Sequence, residues 1–319
     1  MSLRAVAFSA LIAIAFVAAS CTHVTPPMII ASAPRVDGAW WQIAGNPDLG
    51  DLTSPGQQPV DFAIWQAADG TWQLWSCIRG TKEAGQTRLF YAWEGAHLTD
   101  KMWTPKGIAM RADPSLGETP GGLQAPYVFR VGATFHMFYG DWTRICHATS
   151  TDGKTFTRVV EKDGTPAMFS EGPDAQSRDP MVLSRDGTYY AFYTANPDGV
   201  GRDFLRTSND LTTWSASKIV AQGGAAGSGL FSAECPFVVY RPIEGAFYLF
   251  RTQHYGNAAQ TSVYRSSRLD SFGVNDDSDL VETLPIAAPE IVSDGAQDYV
   301  ASVRGTLDGI QIAKLGWGK

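Results

Sequence analysis

Hydrophobic and aromatic positions alternate in five stretches of the chain, each split by a short polar turn that contains glycine. They are VDFAIWQAADGTWQLWS (60–76), QAPYVFRVGATFHMFYG (124–140), RDPMVLSRDGTYYAFYTA (178–195), ECPFVVYRPIEGAFYLFRT (234–252) and APEIVSDGAQDYVASVRG (288–305). Period-two alternation on both sides of a glycine-bearing turn predicts a β-hairpin in each. Four of the hairpins are followed by small and hydroxyl-bearing residues, a polar turn and then Trp or Phe: YAWEGAHLTDKMWTP (91–105), HATSTDGKTFTR (147–158), RTSNDLTTWSA (206–216) and YRSSRLDSFGV (264–274). These read as a third strand and an outer edge, which makes four strands per repeat.

The repeats begin at residues 61, 124, 179, 234 and about 288, a spacing that suits a four-stranded propeller blade with its loops. The expected fold is therefore all-β, a five-bladed β-propeller with four-stranded antiparallel blades, occupying residues 56–319 as one domain. Residues 21–55, with the Pro26-Pro27 pair, Trp40 and Trp41, read as a tether and a lead-in strand that closes the ring.

Ahead of them, residues 1–20 carry one early positive charge, Arg4, and an apolar run from Ala5 to Ala19, directly before Cys21. This is the pattern of an export signal rather than of a core helix or a lasting membrane span. The VAASC stretch resembles a bacterial lipobox, which implies lipidation at Cys21, an exported cell-envelope lipoprotein and contact with a membrane only through that N-terminal anchor. Three further cysteines, Cys77, Cys146 and Cys235, have no zinc-motif spacing and read as small buried hydrophobes on strands.

The formal net charge of −7 and the lack of any Lys/Arg run argue against nucleic acid as a partner. The 37 aromatic residues, 10 Trp, 11 Tyr and 16 Phe, suit strands and sugar-binding faces equally, so they do not choose between the two. Five scattered histidines form no metal constellation, and neither a P-loop nor a G-x-S-x-G element is present, so no residues read as metal ligands and no organic cofactor is expected; the sequence neither supports nor excludes an ion in the propeller channel. His136 and His147, on alternating strands, read as packed or solvated.

The chemistry is expected where the blades begin. The innermost strand of every blade lines the central funnel, so equivalent positions converge although about 55 residues separate them. Those positions hold Asp61, Gln124, Asp179 and Glu234. Three carboxyl groups in one cavity repel one another, and one of them is driven to keep its proton at neutral pH. Glycosidic cleavage needs that asymmetry: a protonated carboxyl for the leaving oxygen and an ionised one for water or the anomeric carbon. Arg178, beside Asp179, offers a planar fork for sugar hydroxyls. Gln124, with Trp142 in the GDW stretch and His254 in TQHYG, completes the expected substrate-binding set.

An Asp in blade one, Arg178-Asp179-Pro180 in blade three and Glu234-Cys235-Pro236 in blade four, each opening a hairpin that ends in an aromatic strand, resemble the five-bladed furanosidase superfamily. That superfamily holds the family 43 glycoside hydrolases and the family 32 and 68 fructosidases, and the resemblance covers roughly residues 56–317. It implies that Asp61 is the general base or nucleophile, that Asp179 tunes the acid or stabilises the transition state, and that Glu234 is the general acid. The first-blade stretch VDFAIW has neither the DPN-type sequence of the fructosidases nor the ADP type of family 43. The implied function is hydrolysis of an oligo- or polysaccharide, at a furanoside such as an arabinofuranoside or fructoside. Two other readings stand beside it: a non-catalytic glycan-binding surface protein, and a phosphorolytic five-bladed relative drawing on Arg79, Arg178 and Arg251.

Overall fold

The computed structural model describes residues 32–318, so residues 1–20, read as an export signal, and Cys21, read as a lipidation site, lie outside the described residues. Five antiparallel sheets follow one another along the chain, and each is a blade. Blade one consists of Gln58–Gln66, Trp72–Arg79, Leu89–Gly95 and Thr104–Met110, paired in that order. Blade three is Arg178–Arg185, Thr188–Ala195, Arg202–Ser208 and Lys218–Ala221, and blade four is Glu234–Arg241, Ala246–His254, Gln260–Ser266 and Leu280–Leu284. Blade two starts with Gln124–Val131, Thr134–Gly140 and Ile145–Ser150, but its outer edge is divided between two short strands, Thr157–Arg158 and Ala167–Phe169.

Blade five is closed by the other end of the chain. Ala287–Ser293, Asp298–Val303 and Gly309–Gly318 form its inner three strands, and Ala33–Gly45 pairs along Gly309–Gly318 as the fourth. The lead-in segment thus contributes a full strand to the ring, and Gly309–Gly318 is left with no exposed edge for another chain to pair with.

The aromatic strands are explained by what lies between the blades. Phe62, Ile64, Tyr91 and Trp93 of blade one pack with Tyr299, Ala301 and Ile310 of blade five. Val60, Trp75 and Phe90 face Met137 and Tyr139 of blade two. Phe138 and Ile145 meet Tyr193 and Phe204 of blade three, and Phe192 meets Phe250 and Phe272 of blade four. Each sheet is buried on both faces, so large apolar side chains appear at both parities of the inner strands.

One backbone feature repeats in all five blades and fixes where the funnel residues point. Near the start of each inner strand the pairing register slips. At the slip stands a non-glycine residue in the left-handed region: Asp61 (φ 34°), Ala125 (39°), Asp179 (55°), Cys235 (49°) and Ala288 (48°). Non-glycine residues rarely adopt that conformation, and a β-bulge is one of the places that holds them there. This corrects the expected alignment. Asp61 and Asp179 share their position with Ala125, Cys235 and Ala288, whereas Gln124 and Glu234 sit one residue earlier, level with Arg178. The extra bulge residue lets side chains from both positions reach the axis.

Candidate active site

At one end of the ring, a cleft of about 580 Å³ opens over the funnel, within the range of small-ligand sites. Asp61, Gln124, Trp142, Arg178, Glu234 and His254 all line it, as do Arg79, Arg88, Gln176, Leu230, Phe231, Gln253 and Tyr255. Six of the seven residues expected at the site therefore share one cavity. Asp179 does not line it. That residue is 5% exposed and lines a narrow channel of about 20 Å³ that Asp61 also borders.

The three carboxyl groups meet around Cys235. Its backbone N–H donates to Asp179 Oδ2 at 3.2 Å, and its Sγ lies 3.5 Å from Asp61 Oδ1. Glu234 is the adjoining residue. Cys235 is only half-buried and also contacts the Tyr255 hydroxyl at 3.0 Å, so it is part of the site floor rather than the plain core hydrophobe expected from sequence. Cys77 and Cys146 are buried on their strands. The Tyr255 hydroxyl donates to Asp61 Oδ1 at 2.7 Å and holds that carboxylate in place. Tyr255 follows the Ala246–His254 strand of blade four and was not singled out by sequence; its neighbour His254 was, and is exposed at the cleft wall.

Among the described residues, Arg178 is the only basic group in contact with these carboxyl groups. Its Nη2 donates to Glu234 Oε1 at 2.6 Å, its Nη1 donates to the Gln176 carbonyl at 2.9 Å, and its Nε lies 3.7 Å from Asp179 Oδ2. Two of its three nitrogens are thus engaged within the protein, one by Glu234 and one by the Gln176 carbonyl. Glu234 Oε2 and Asp179 Oδ1 have no hydrogen-bond partner among the described residues. The Oε1 of Gln124, which is 3% exposed, is unpartnered too.

One guanidinium cannot neutralise three carboxyl groups in so dry a place. Burial pushes the Glu234 carboxyl up to about 7; Arg178 pulls it down, and Asp179 and Asp61 push it up. Burial likewise raises Asp179, to about 6, against the pull of Arg178 and with a push from Asp61. The Asp179 charge raises Glu234 in turn, so the two do not titrate independently.

Behind them lies a further buried carboxyl that no motif announced. Asp203, on the third strand of blade three, is fully buried opposite Thr194, and neither of its oxygens has a hydrogen-bond partner. Burial drives it up to about 8; Arg251 opposes that, and the charges of Asp179 and Glu234 add to it. An acid raised in the folded state contributes stability that is complete below its unfolded value, near 3.8, and is lost as pH rises through about 8. Asp203→Asn should accordingly melt close to the wild type at pH 4. It should gain on the wild type progressively up to pH 8, by about 2 °C per kcal/mol for a domain of this size. Melting curves across that range check this, and a variant equally destabilised at every pH would refute a protonated Asp203.

Arg251, one of the three cations set aside for a phosphorolytic reading, is fully buried within blade four. Its Nη2 donates to the Gly223 carbonyl at 3.0 Å and to the Tyr264 hydroxyl at 3.1 Å, so it does not reach the cleft. His136 and His147 are packed together in blade two with ring nitrogens 3.0 Å apart.

A five-bladed propeller with carboxyl groups from blades one, three and four gathered under one cleft, one of them proton-retaining, has the layout of a carboxylate-dependent glycosidase. Residues 86–276 match the glycosyl hydrolases family 32 N-terminal domain, and the chain belongs to that family. The matched span includes Arg178, Asp179 and Glu234 but begins after Asp61, so Asp61 rests on its geometry. A stretch of 113 residues is 33% identical to the sucrose-6-phosphate hydrolase of Bacillus subtilis (strain 168). It covers 34% of this chain and 23% of that relative's length.

Solved structures show the same fold. The endo-arabinase of Bacteroides thetaiotaomicron VPI-5482 superposes with a TM-score of 0.61 at 12% identity, covering 82% of this chain and 96% of that one. The sucrose-6-phosphate hydrolase of Lactobacillus gasseri gives 0.59 at 14% identity, covering 87% of this chain and 61% of that one.

Proposed function

We propose that this protein is a glycoside hydrolase that cleaves a furanoside, an arabinofuranoside or a fructoside, with Glu234 as general acid and Asp61 acting on water or on the anomeric carbon. The observation that carries the reading is the asymmetry of the two cleft-lining carboxyl groups. Glu234 is raised to about 7 by burial and by its acidic neighbours, while Asp61 is held at the cleft by a 2.7 Å hydrogen bond from the Tyr255 hydroxyl. Glu234 gives its proton to the glycosidic oxygen as that bond breaks. The carboxylate left behind is then stabilised by Arg178, already 2.6 Å away, and can take a proton from water later in the cycle.

Asp179 belongs to this machinery without touching the sugar. Fixed by the Cys235 N–H and by Arg178, it adds negative charge beneath the site, which keeps the acid protonated and favours a cationic ring in the transition state. Leu230 and Phe231 give the mouth of the cleft an apolar lip on which a sugar face can rest. The Arg4, apolar-run and Cys21 pattern supports an exported protein held at the envelope by a lipid anchor.

The test is product release by the wild-type protein from a panel of arabinofuranosides, fructosides, xylosides and galactosides. Cleavage of an arabinofuranoside or fructoside, with no requirement for inorganic phosphate, is the expected result. Binding without cleavage across the whole panel would replace this reading with that of a glycan-binding protein.

A further inference from the structure

The wall of the cleft formed by blade one carries a feature that neutral-sugar hydrolysis does not use. Ile78 pairs with Leu89; Arg79 ends the second strand of the blade, Arg88 stands just before the third, and both line the cleft. Two cations at adjoining strand ends repel each other. Several arginines elsewhere in the ring are matched by acids: Arg111 by Glu83, Arg144 by Asp141, Arg158 by Glu118, Arg206 by Glu171. Neither Arg79 nor Arg88 has a carboxylate within salt-bridge distance among the described residues.

The pair is nonetheless held in position. Arg79 Nε donates to Gln58 Oε1 at 2.9 Å, which orients its guanidinium and leaves both Nη groups uncommitted. Arg88 lies over the Trp142 ring with 5.0 Å between its guanidinium carbon and the ring centre. Trp142 is itself in the left-handed region, at φ 83°, which is costly for so large a residue. What keeps it there is the buried Asp141 side chain, which accepts from the backbone N–H groups of Thr143 and Arg144 and from the Arg144 guanidinium. Strain of this kind persists where the surroundings over-determine it, and it gathers at ligand sites.

We propose that the cleft is built for an anionic sugar. Arg79 and Arg88 grip a carboxylate, phosphate or sulphate on the substrate while the scissile bond lies over Asp61 and Glu234. Arg79 ends the second strand of its blade and Arg88 precedes the third, both farther from the axis than the first strands that carry Asp61 and Glu234, so the charged substituent lies radially outward from the bond being cut. A protein of net charge −7 repels anions in general, and the local pair is what reverses that preference.

This inference rests on the glycosidase reading for the bond that is cut, but it can be tested by binding alone. Glu234→Gln protein is titrated calorimetrically with sucrose, sucrose 6-phosphate, neutral arabino-oligosaccharides and the same oligosaccharides bearing glucuronate or sulphate groups. At least one anionic ligand should bind about tenfold or more tightly than its neutral parent, the value of one charge-assisted hydrogen bond. Sodium chloride should weaken that ligand's binding and leave the parent's unchanged. The preferred member identifies the anion as carboxylate, phosphate or sulphate.

Arg79→Gln and Arg88→Gln should each bring the anionic ligand to within about twofold of its parent while neutral binding survives, which also shows that the variants are folded. Arg88→Lys keeps the charge but not the fork and should fall between the two. Equal affinity for neutral and anionic ligands, or a preference that outlives both glutamine variants, overturns the inference even if the wild type proves to be a hydrolase. So does release of a glycosyl phosphate when wild type is supplied with inorganic phosphate, because the arginines would then hold a co-substrate.

Discussion

Glu234→Gln should lower kcat/KM by about 10²–10⁴-fold on a glycoside with an alkyl or sugar leaving group, yet by less than about tenfold on a nitrophenyl glycoside of the same sugar. The difference follows from what the proton does. An alkoxide is too basic to depart unassisted, whereas nitrophenolate leaves without help, so only the first substrate depends on a group that can donate. Steady-state kinetics on the two substrates check this. Equal losses on both would mean that Glu234 shapes the site without donating the proton.

The same variant carries a pH signature. In the wild type, the protonated form of the acid is lost as pH rises through about 7, so activity on the poor leaving group should fall on the alkaline side. Below that limb the coupled Asp179, raised to about 6, becomes protonated and removes negative charge from beneath the reacting ring. The resulting bell belongs to the pair and not to either residue separately. With glutamine at 234 and a nitrophenyl substrate, the alkaline limb should vanish.

Much of this site was legible in the sequence because its carboxyl groups stand at the openings of repeated hairpins. Asp179 and Glu234 are each followed within two residues by Pro and then by an apolar strand, so the repeat exposes them. The register within the repeat was not legible. The left-handed bulge residue inserts one position into each inner strand, and a period-two pattern carries no mark of it. A weak marker did exist: Ala125, Asp179, Cys235 and Ala288, four of the five bulge residues, directly precede proline.

Residues brought in by other elements were harder to read. Tyr255 lies just past the end of a second strand and reaches Asp61 across 194 positions of sequence, a contact that only ring closure produces. Arg88 and Asp203 sit at or on third strands, whose spacing to the funnel varies with loop length. A charged residue among apolar neighbours, as in the RDFLRTS strand, was the available signal for Asp203.

Asp61 lies outside the stretch that matches the family, so its assignment is the one most exposed to experiment. Asp61→Ala should reduce kcat by about 10³-fold or more on every substrate, nitrophenyl glycosides included, because no leaving group replaces the attack on the anomeric carbon. Azide, which fits the space vacated by the carboxylate, should restore turnover and yield a glycosyl azide. Its configuration reports which face of the sugar Asp61 served, and NMR of the first-formed wild-type product then separates a nucleophile from a base. Tyr255→Phe removes the 2.7 Å hydrogen bond but not the carboxylate, and should cost far less than Asp61→Ala. If Asp61→Ala kept more than about one-tenth of wild-type activity, the attacking group would have to be sought elsewhere on the cleft wall, and the convergence of Asp61, Asp179 and Glu234 on Cys235 would be an electrostatic device rather than a catalytic one.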